Sequence, residues 1–184
     1  LGGLKPYVLN QLDSAFITLP TFLDERHAIA SPADAEAYLA RLGAVAVAID
    51  AETARAREDA NSGVRPPLFI IDATIALLDG VLSDPPLEQP YFTSFRGKLD
   101  ALAAAETDAT RRAALTQRNL GYLARAEAIV RDSILPAHRR AADYLRADRV
   151  HAGQDPGVGQ LPDGADFYVA ALRIETTTTL APGQ

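Results

Sequence analysis

An amphipathic stretch of roughly forty residues, from Thr107 to about Arg149, dominates the sequence. Its apolar residues recur at helical spacing and form one stripe: Leu115, Tyr122, Ala126, Ile129, Val130, Ala137, Ala141, Tyr144 and Leu145. A continuous helix of this length would be about 60 Å long, at about 1.5 Å per residue. Pro136 lies inside the stretch, where proline removes a backbone hydrogen bond and clashes with the preceding turn. The fold is therefore expected to contain one long helix that is kinked near Pro136.

Further segments show the same periodicity together with start and stop signals. Ser31 can cap a helix, Pro32 suits its first position, and Asp34 places negative charge in its first turn. Glycine and proline pairs separate the segments that follow. The predicted helices run from Ser31 to about Asn61, from Pro66 to about Asp84, from Thr93 to Ala105 and from about Ala165 to Glu175.

Strand signals are nearly absent, since the threonine run Thr176–Thr179 is the only β-prone stretch. The sequence therefore predicts an all-α fold, an irregular multi-helix array with one long kinked helix and no substantial sheet. Residues 1–30 are interrupted by glycines and prolines and are predicted to be an irregular entry segment with room for one short helix. Their apolar residues, Phe16 among them, argue against a free tail. Residues 31–184 form the helical region.

Composition excludes several classes of function. The chain has no cysteine, which rules out disulfides and thiolate metal sites. A net charge of −6 argues against a general nucleic-acid binder, and no apolar run is long enough for a transmembrane helix. Residues 107–149 hold nine arginines against five acids. A solvated surface with intrahelical ion pairs is a better interpretation of them than a phosphate-binding stripe, because aromatic residues are missing from that face.

No complete catalytic or metal-binding constellation is present. The three histidines, His27, His138 and His151, include no pair one helical turn apart, as a zinc peptidase helix requires. Asp148, His151 and Asp155 could form an oxygen-rich metal site, but a solvated helix end is the favoured interpretation. His138 is expected to serve helix packing or to lie at the surface rather than to act in catalysis.

Two other local patterns carry no chemistry on inspection. The charged residues Asp24–His27 are predicted to form a surface cluster. Gly157 and Gly159 are followed by Pro162, where a dinucleotide fingerprint needs its third glycine, and no strand precedes them. Nor is there a G-x-S-x-G nucleophile motif.

Tyr168 and Arg173 are the strongest candidates for substrate binding. They lie five residues apart on the last predicted helix, which follows the tight turn Leu161–Gly164. Arginine can hold a carboxylate with two parallel hydrogen bonds, and tyrosine can donate a hydrogen bond to a carbonyl or an oxyanion. The alternative is that Tyr168 belongs to the core and Arg173 forms a structural salt bridge. On residue types alone, this alternative is favoured.

The C-terminal sequence LPDGADFYVAALRIETTTTLAPGQ resembles a signature of the bacterial domain-of-unknown-function 885 family. In that signature a Leu-Pro-x-Gly turn, a tyrosine-bearing helix, an arginine and a threonine run lead into a helix start. Ala181 stands where the family usually has a Thr or Ser cap. Segments upstream resemble the family in the same order: Gln11–Leu12, Leu19–Pro20, Phe22–Leu23, Ala33–Leu42, Gly63–Pro67, Ile134–Ala137 and Tyr144–Leu145.

The resemblance implies a zinc-dependent metallopeptidase, mostly helical and exported. The zinc-binding helices of the family come further along than this chain reaches. No zinc ligand, catalytic residue or cofactor is therefore assigned to this chain, and zinc is implied only for a parent protein. Residues 31–184 would then be a fragment of a larger single catalytic domain. Lying just before the catalytic half, Tyr168 and Arg173 become candidates for lining the substrate cleft.

Two functions remain open at this stage. The leading one is the upstream helical portion of an exported bacterial zinc metallopeptidase, inactive alone, with the remainder of the parent chain and a peptide substrate as partners. The other is a self-sufficient, non-catalytic helical binding or scaffold domain. The sequence contains no methionine, which suggests a mature exported protein, a proteolytic fragment or a trimmed chain; the end shortly after Pro182 favours a fragment. We expect a periplasmic or otherwise exported location, with the cytoplasm as the alternative, and no nucleic-acid or membrane partner.

Overall fold

The computed structural model describes residues 5–176, and every regular element in that range is helical. The prediction of an all-α fold is confirmed, and no strand occurs among these residues. A π-helical turn, Val130–Ile134, joins the fifth helix to the sixth, and 3-10 turns lie at Arg149–His151 and Val158–Gln160. The helices are α1 (Ala15–Glu25), α2 (Pro32–Asn61), α3 (Leu68–Ser83), α4 (Pro90–Ala105), α5 (Ala109–Ile129), α6 (Leu135–Asp148) and α7 (Gly164–Thr176).

Both predicted ends of α2 are confirmed. The Ser31 hydroxyl accepts a hydrogen bond from the backbone N–H of Asp34 (3.3 Å). The Asp34 carboxylate accepts from the same hydroxyl (2.8 Å), and this hydrogen bond holds the pKa of Asp34 below its usual value. At the other end Gly63 has a φ of 84°, the left-handed conformation that glycine adopts without strain. These local interactions explain why the sequence alone located α2.

The predicted interruption near Pro136 is confirmed and takes the form of a π-helical turn. The backbone N–H of Leu135 bonds to the carbonyl of Val130, five residues earlier, instead of to the residue four earlier. Proline has no N–H to continue the α-helical pattern, and the wider turn lies immediately before it. The long helix is thus continuous in path but changes its hydrogen-bond register between α5 and α6.

The long helix runs parallel to α2. Arg125 pairs with Glu36 near the start of α2 (2.8 Å), and the Tyr144 hydroxyl donates to the carbonyl oxygen of Ala56 near its end (3.0 Å). From the sequence, Tyr144 and Leu145 are expected beside residues 42–49. Tyr144 lies about two turns further along α2, because the relative shift of two parallel helices depends on packing rather than on either pattern alone.

The core lies between α2 and the helices around it. Tyr38 is fully buried, stacks on Phe95 with 4.5 Å between ring centroids, and donates its hydroxyl hydrogen to the carbonyl oxygen of Tyr91 (3.0 Å). Leu42 and Ile49 on the same face of α2 are also inaccessible to solvent. The core is continuous from the entry segment to α6, and its largest fully buried side chains include Leu9, Leu23, Ile71, Leu78, Leu99, Ile134 and Leu145.

Charged side chains of other helices cap α1 at both ends. Ser14, the residue before α1, makes no cap hydrogen bond with its side chain. Instead, the Glu52 carboxylate on α2 accepts from the backbone N–H of Ala15 (2.8 Å). At the C-terminal end, the Lys98 ammonium on α4 donates to three carbonyl oxygens, at 2.7, 2.5 and 2.7 Å, those of Leu23, Asp24 and His27. Both charges complement the helix dipole, so this one short helix of the entry segment depends on its neighbours.

Arginines of the long helix pair mainly with other helices, whereas the sequence suggests intrahelical pairs. Arg140 binds the Asp50 carboxylate on α2 through two nitrogens, at 2.9 and 2.7 Å. Arg131 is an exception, since it pairs within the long helix with Asp132 at 2.8 Å and with Glu127 at 3.8 Å. Periodicity shows which residues share a face but not which helix lies beside that face.

No helix in the described range combines the length and apolar character needed to cross a bilayer.

Candidate functional site

Close packing fixes the turn that precedes α7. Asp163 has a φ of 56°, in the left-handed region. A Cβ atom at Gly164 would lie 1.9 Å from the carbonyl oxygen of Val158, so only glycine fits there. The Gly164 N–H donates to the carbonyl oxygen of Leu161 (2.9 Å), and the Leu161 side chain is buried. The Leu-Pro-Asp-Gly sequence therefore determines where α7 begins and in which direction it leaves.

A groove opens beside this turn, where the entry segment, the C-terminal half of α2, the α2–α3 connection and α7 meet. Most of its lining is apolar, and its charged members include Arg55 and Asp59, which pair with each other at 2.7 Å. Pro162 packs over Gly63, where a Cβ atom would lie 3.1 Å from the proline ring. Such a groove suits an apolar group. Its lining residues are Lys5, Pro6, Val8, Arg55, Asp59, Val64, Leu161, Pro162 and Phe167.

The structure places Tyr168 and Arg173 on α7, on different sides of that helix. Tyr168 is 49% exposed, and Arg173 is exposed. Five residues of an α-helix turn through about 500°, so the two side chains leave the axis about 140° apart. The two side chains therefore cannot bind one small group from the same side of α7. If both contact a substrate, they contact different parts of it.

The structural alternative for these two residues is not found within residues 5–176. Tyr168 is half-exposed rather than part of the core. No carboxylate of the described chain lies within ion-pair distance of Arg173. α7 contacts the rest of the described chain chiefly through the 3-10 turn Val158–Gln160. The side chains of Tyr168 and Arg173 are therefore exposed to a further partner.

His27 is buried, whereas Asp24, Glu25 and Arg26 are exposed, so the predicted surface charge cluster does not include His27. Only 4% of His27 is exposed, and its ring lies edge-on to Tyr38 with 5.1 Å between centroids. Arg41 can only donate, so the His27 Nδ1 atom at 2.6 Å accepts, and Nε2–H donates to the carbonyl oxygen of Asp34 (3.0 Å). His27 thus joins the start of α2 to the chain after α1.

His138 is fully buried, in agreement with the predicted role in helix packing. Its Nδ1–H donates to the carbonyl oxygen of Ile134 (2.8 Å), and its ring lies edge-on to Phe16 and Tyr91 at 6.0 and 6.4 Å between centroids. Burial lowers the pKa of His138 and raises the pKa of Tyr38 to about 12. Both side chains are therefore neutral near pH 7. The side chains of His138, Phe16 and Tyr91 are enclosed in the core and offer no surface to a substrate.

The described residues do not fit a zinc ion. Within residues 5–176 no three His, Asp or Glu side chains converge at metal-binding distance. Asp148, a member of the candidate set with His151 and Asp155, is instead held by Arg65 through two hydrogen bonds of 2.7 and 2.9 Å. That pair joins the α2–α3 connection to the end of α6.

Phe167 and Arg55 line the groove, and neither was identified as a functional candidate from the sequence. Phe167 had a local signal, since it is the aromatic residue next to Tyr168 and follows the Leu161–Gly164 turn. Arg55 had none, because its place beside the groove depends on how α2 meets a turn more than a hundred residues later. The threonine run beyond Thr176 and the predicted helix start at Ala181–Pro182 lie outside the described residues.

The architecture is similar to that of a longer bacterial protein of known structure. A crystal structure of "the putative lipoprotein from Colwellia psychrerythraea" matches 96% of this chain with a TM-score of 0.83 and 20% sequence identity. The chain spans 29% of that protein's length. At this identity the likeness shows the fold alone.

Curated proteins give no significant match. The model of the family described as "bacterial protein of unknown function (DUF885)" matches residues 2–184.

Proposed function

The chain belongs to the bacterial family of unknown function DUF885, and we propose that it is the upstream helical portion of an exported zinc-dependent metallopeptidase. In this proposal a longer parent polypeptide carries the zinc site, and α7 forms part of the wall of its substrate cleft. The chain alone is inactive. Support for the peptidase activity comes from the resemblance of the C-terminal signature, since residues 5–176 do not themselves fit a zinc ion.

The observation that carries the cleft-wall role is the placement of α7. The helix begins at a sterically fixed turn, borders the groove through Phe167, and presents Tyr168 and Arg173 without described ion-pair partners. A fixed origin with available side chains is what a cleft wall requires, because a binding group must be held in position before the substrate arrives.

We assign separate tasks to the two side chains because they point in different directions. Arg173 would hold a carboxylate of the peptide substrate with two parallel hydrogen bonds. Tyr168 would donate a hydrogen bond to a backbone carbonyl of the same peptide. The groove beside Phe167 would receive an apolar side chain.

The proposed exported location is supported by the similar structure, which is described as that of a lipoprotein. Fractionation of the native organism tests it: recovery of the parent polypeptide in the periplasmic or membrane-associated fraction is expected. Recovery only in the cytoplasm would contradict export.

Peptide cleavage by the parent polypeptide, with and without a zinc chelator, tests the proposed activity. Arg173→Lys should lower kcat/KM by about ten- to a hundredfold, because lysine keeps the charge but lacks the planar fork. Tyr168→Phe should cost less, since only the hydroxyl is lost. Arg139→Lys, at an exposed arginine on α6, is the matched control and should leave kcat/KM unchanged.

Three results would contradict the proposal in whole or in part. Absence of zinc-dependent cleavage over a broad peptide library would leave the non-catalytic binding or scaffold domain as the function. Unchanged kcat/KM for Arg173→Lys in an active enzyme would remove Arg173 from the cleft. A lower Tm with normal activity per folded molecule would mean that Arg173 has a structural role.

A further inference from the structure

Helix α3 has two apolar sides, and residues 5–176 cover only one of them. The first side packs on α6 and buries Ile71, Thr74 and Leu78. On the second side Phe69 is 52% exposed and Leu77 is 46% exposed. A helix that is apolar on all sides is normally buried on all sides. The residues of this second side, called here the outer side of α3, are Phe69, Ile70, Ala73, Ala76, Leu77, Gly80 and Val81.

The distribution of charge on α3 sets its outer side apart from an ordinary solvated surface. The helix contains only two charged residues, Asp72 and Asp79. Asp72 pairs with Arg149 at 2.5 Å, and Asp79 pairs with Arg146. Both carboxylates are thus turned toward the long helix. An exposed face normally carries the charged residues of an amphipathic helix, whereas the outer side of α3 carries none.

The outer side also has a shape that suits another helix. Ala73 lies between the larger side chains of Phe69 and Leu77, one turn from each, and Ala76 and Gly80 are further small residues on this side. A Cβ atom added at Gly80 would meet no atom within 4 Å, so the space above it is open. Small residues beside large ones form the grooves and ridges by which helices pack at about 8–10 Å between axes.

We propose that the outer side of α3 is covered by an α-helix from the part of the parent polypeptide outside residues 1–184. This inference rests on the proposed function, in which the chain is one portion of a longer protein. The similar structure supports it, because this chain spans only 29% of that protein's length. The area argues against a second copy of the chain as the occupant. The outer side exposes on the order of 300 Å², whereas a stable dimer buries about 800 Å² per partner.

Cysteine labelling of the folded parent polypeptide tests this contact. Residues 1–184 contain no cysteine, so Leu77→Cys introduces a single new thiol on the outer side. Leu120→Cys is the matched control, since Leu120 lies on α5 and is 56% exposed. We expect a maleimide to label Leu77→Cys at least tenfold more slowly than Leu120→Cys under native conditions, and both thiols at equal rates in denaturant.

Equal native rates at the two positions would overturn the inference. Protection of Leu77→Cys that appears only as protein concentration rises would also overturn it, because it would identify a second copy as the occupant. A second variant checks the same contact without labelling: Leu77→Lys should lower the Tm of the parent polypeptide by several degrees, and Leu120→Lys should not. Neither readout depends on peptidase activity, so failure of the proposed activity and failure of this contact are distinguishable.

Discussion

Lys98 is predicted to stabilise the fold more than any surface charge of the molecule, because it holds the C-terminal end of α1. Its ammonium donates to three backbone carbonyl oxygens at 2.7, 2.5 and 2.7 Å. The last turn of α1 contains no basic residue of its own. Lys98→Met keeps most of the length and apolar contact of the side chain and removes the charge and the three hydrogen bonds.

The expected loss follows from these contacts. A hydrogen bond to a charged group contributes about 1.5–3 kcal/mol. Three such bonds do not add fully, because water can reach part of this site and the ammonium itself is partly desolvated in the folded state. A loss of about 2–4 kcal/mol is therefore expected. For a chain of this length that corresponds to a fall in Tm of about 4–16 °C. Urea unfolding followed by circular dichroism at 222 nm measures it.

Lys5 provides the control, because it is the only other lysine of the chain. It pairs with Asp13 at the surface, and its side chain is 63% exposed. Lys5→Met should change the free energy of unfolding by less than about 1 kcal/mol, as exposed ion pairs do. Equal effects of Lys98→Met and Lys5→Met would refute the reasoning, since α1 would then end without help from α4.

Three further predictions concern the core, the turn and the buried histidine. Ile49→Ala should lower the free energy of unfolding by about 2–4 kcal/mol in the same urea assay, because Ile49 is fully buried; a change below about 0.5 kcal/mol would contradict its place in the core. Gly164→Ala should increase amide hydrogen exchange throughout α7, because a Cβ atom there meets the carbonyl of Val158. Gly43→Ala is the control: a Cβ atom there meets no atom within 4 Å, so the substitution should leave the free energy of unfolding unchanged or raise it. Burial lowers the pKa of His138 in the folded state, so the unfolded chain binds the proton first and the free energy of unfolding should fall as the pH drops below about 6.5. His138→Phe should make the free energy of unfolding less dependent on pH in this range. An unchanged pH dependence would show that other groups cause it.

Sequence signals predicted the elements whose determinants are local. Ser31 and Asp34 bond to each other across one turn, so the start of α2 could be identified from neighbouring residues. Proline chemistry likewise located the interruption of the long helix. The bounds of α1 could not be predicted in this way, because its caps, Glu52 and Lys98, are contributed by α2 and α4. The sequence places one short helix in the entry segment without fixing its ends.

The candidate site likewise has one part that neighbouring residues specify and another part that depends on how distant segments pack. The Leu161–Gly164 turn is specified by its own residues and by Val158 nearby, so the sequence predicts it. The groove beside it combines the entry segment with α2 and α7. Its existence depends on how these distant segments meet, as does the relative shift of α2 and the long helix, which places Tyr144 about two turns from its expected neighbours. Periodicity does not encode that shift.

The interhelical arginine pairs bear on how such a shift is set. The pairs of Arg125 with Glu36 and of Arg140 with Asp50 join the long helix to α2 at points about four turns apart. Each is solvent-exposed and contributes little to stability, so together they do not hold the fold. They do distinguish between registers, because a slide of one turn along α2 would separate both pairs at once while the largely aliphatic stripe could still pack. The position of the long helix along α2 therefore depends on which registers these charges permit as well as on the core that they surround.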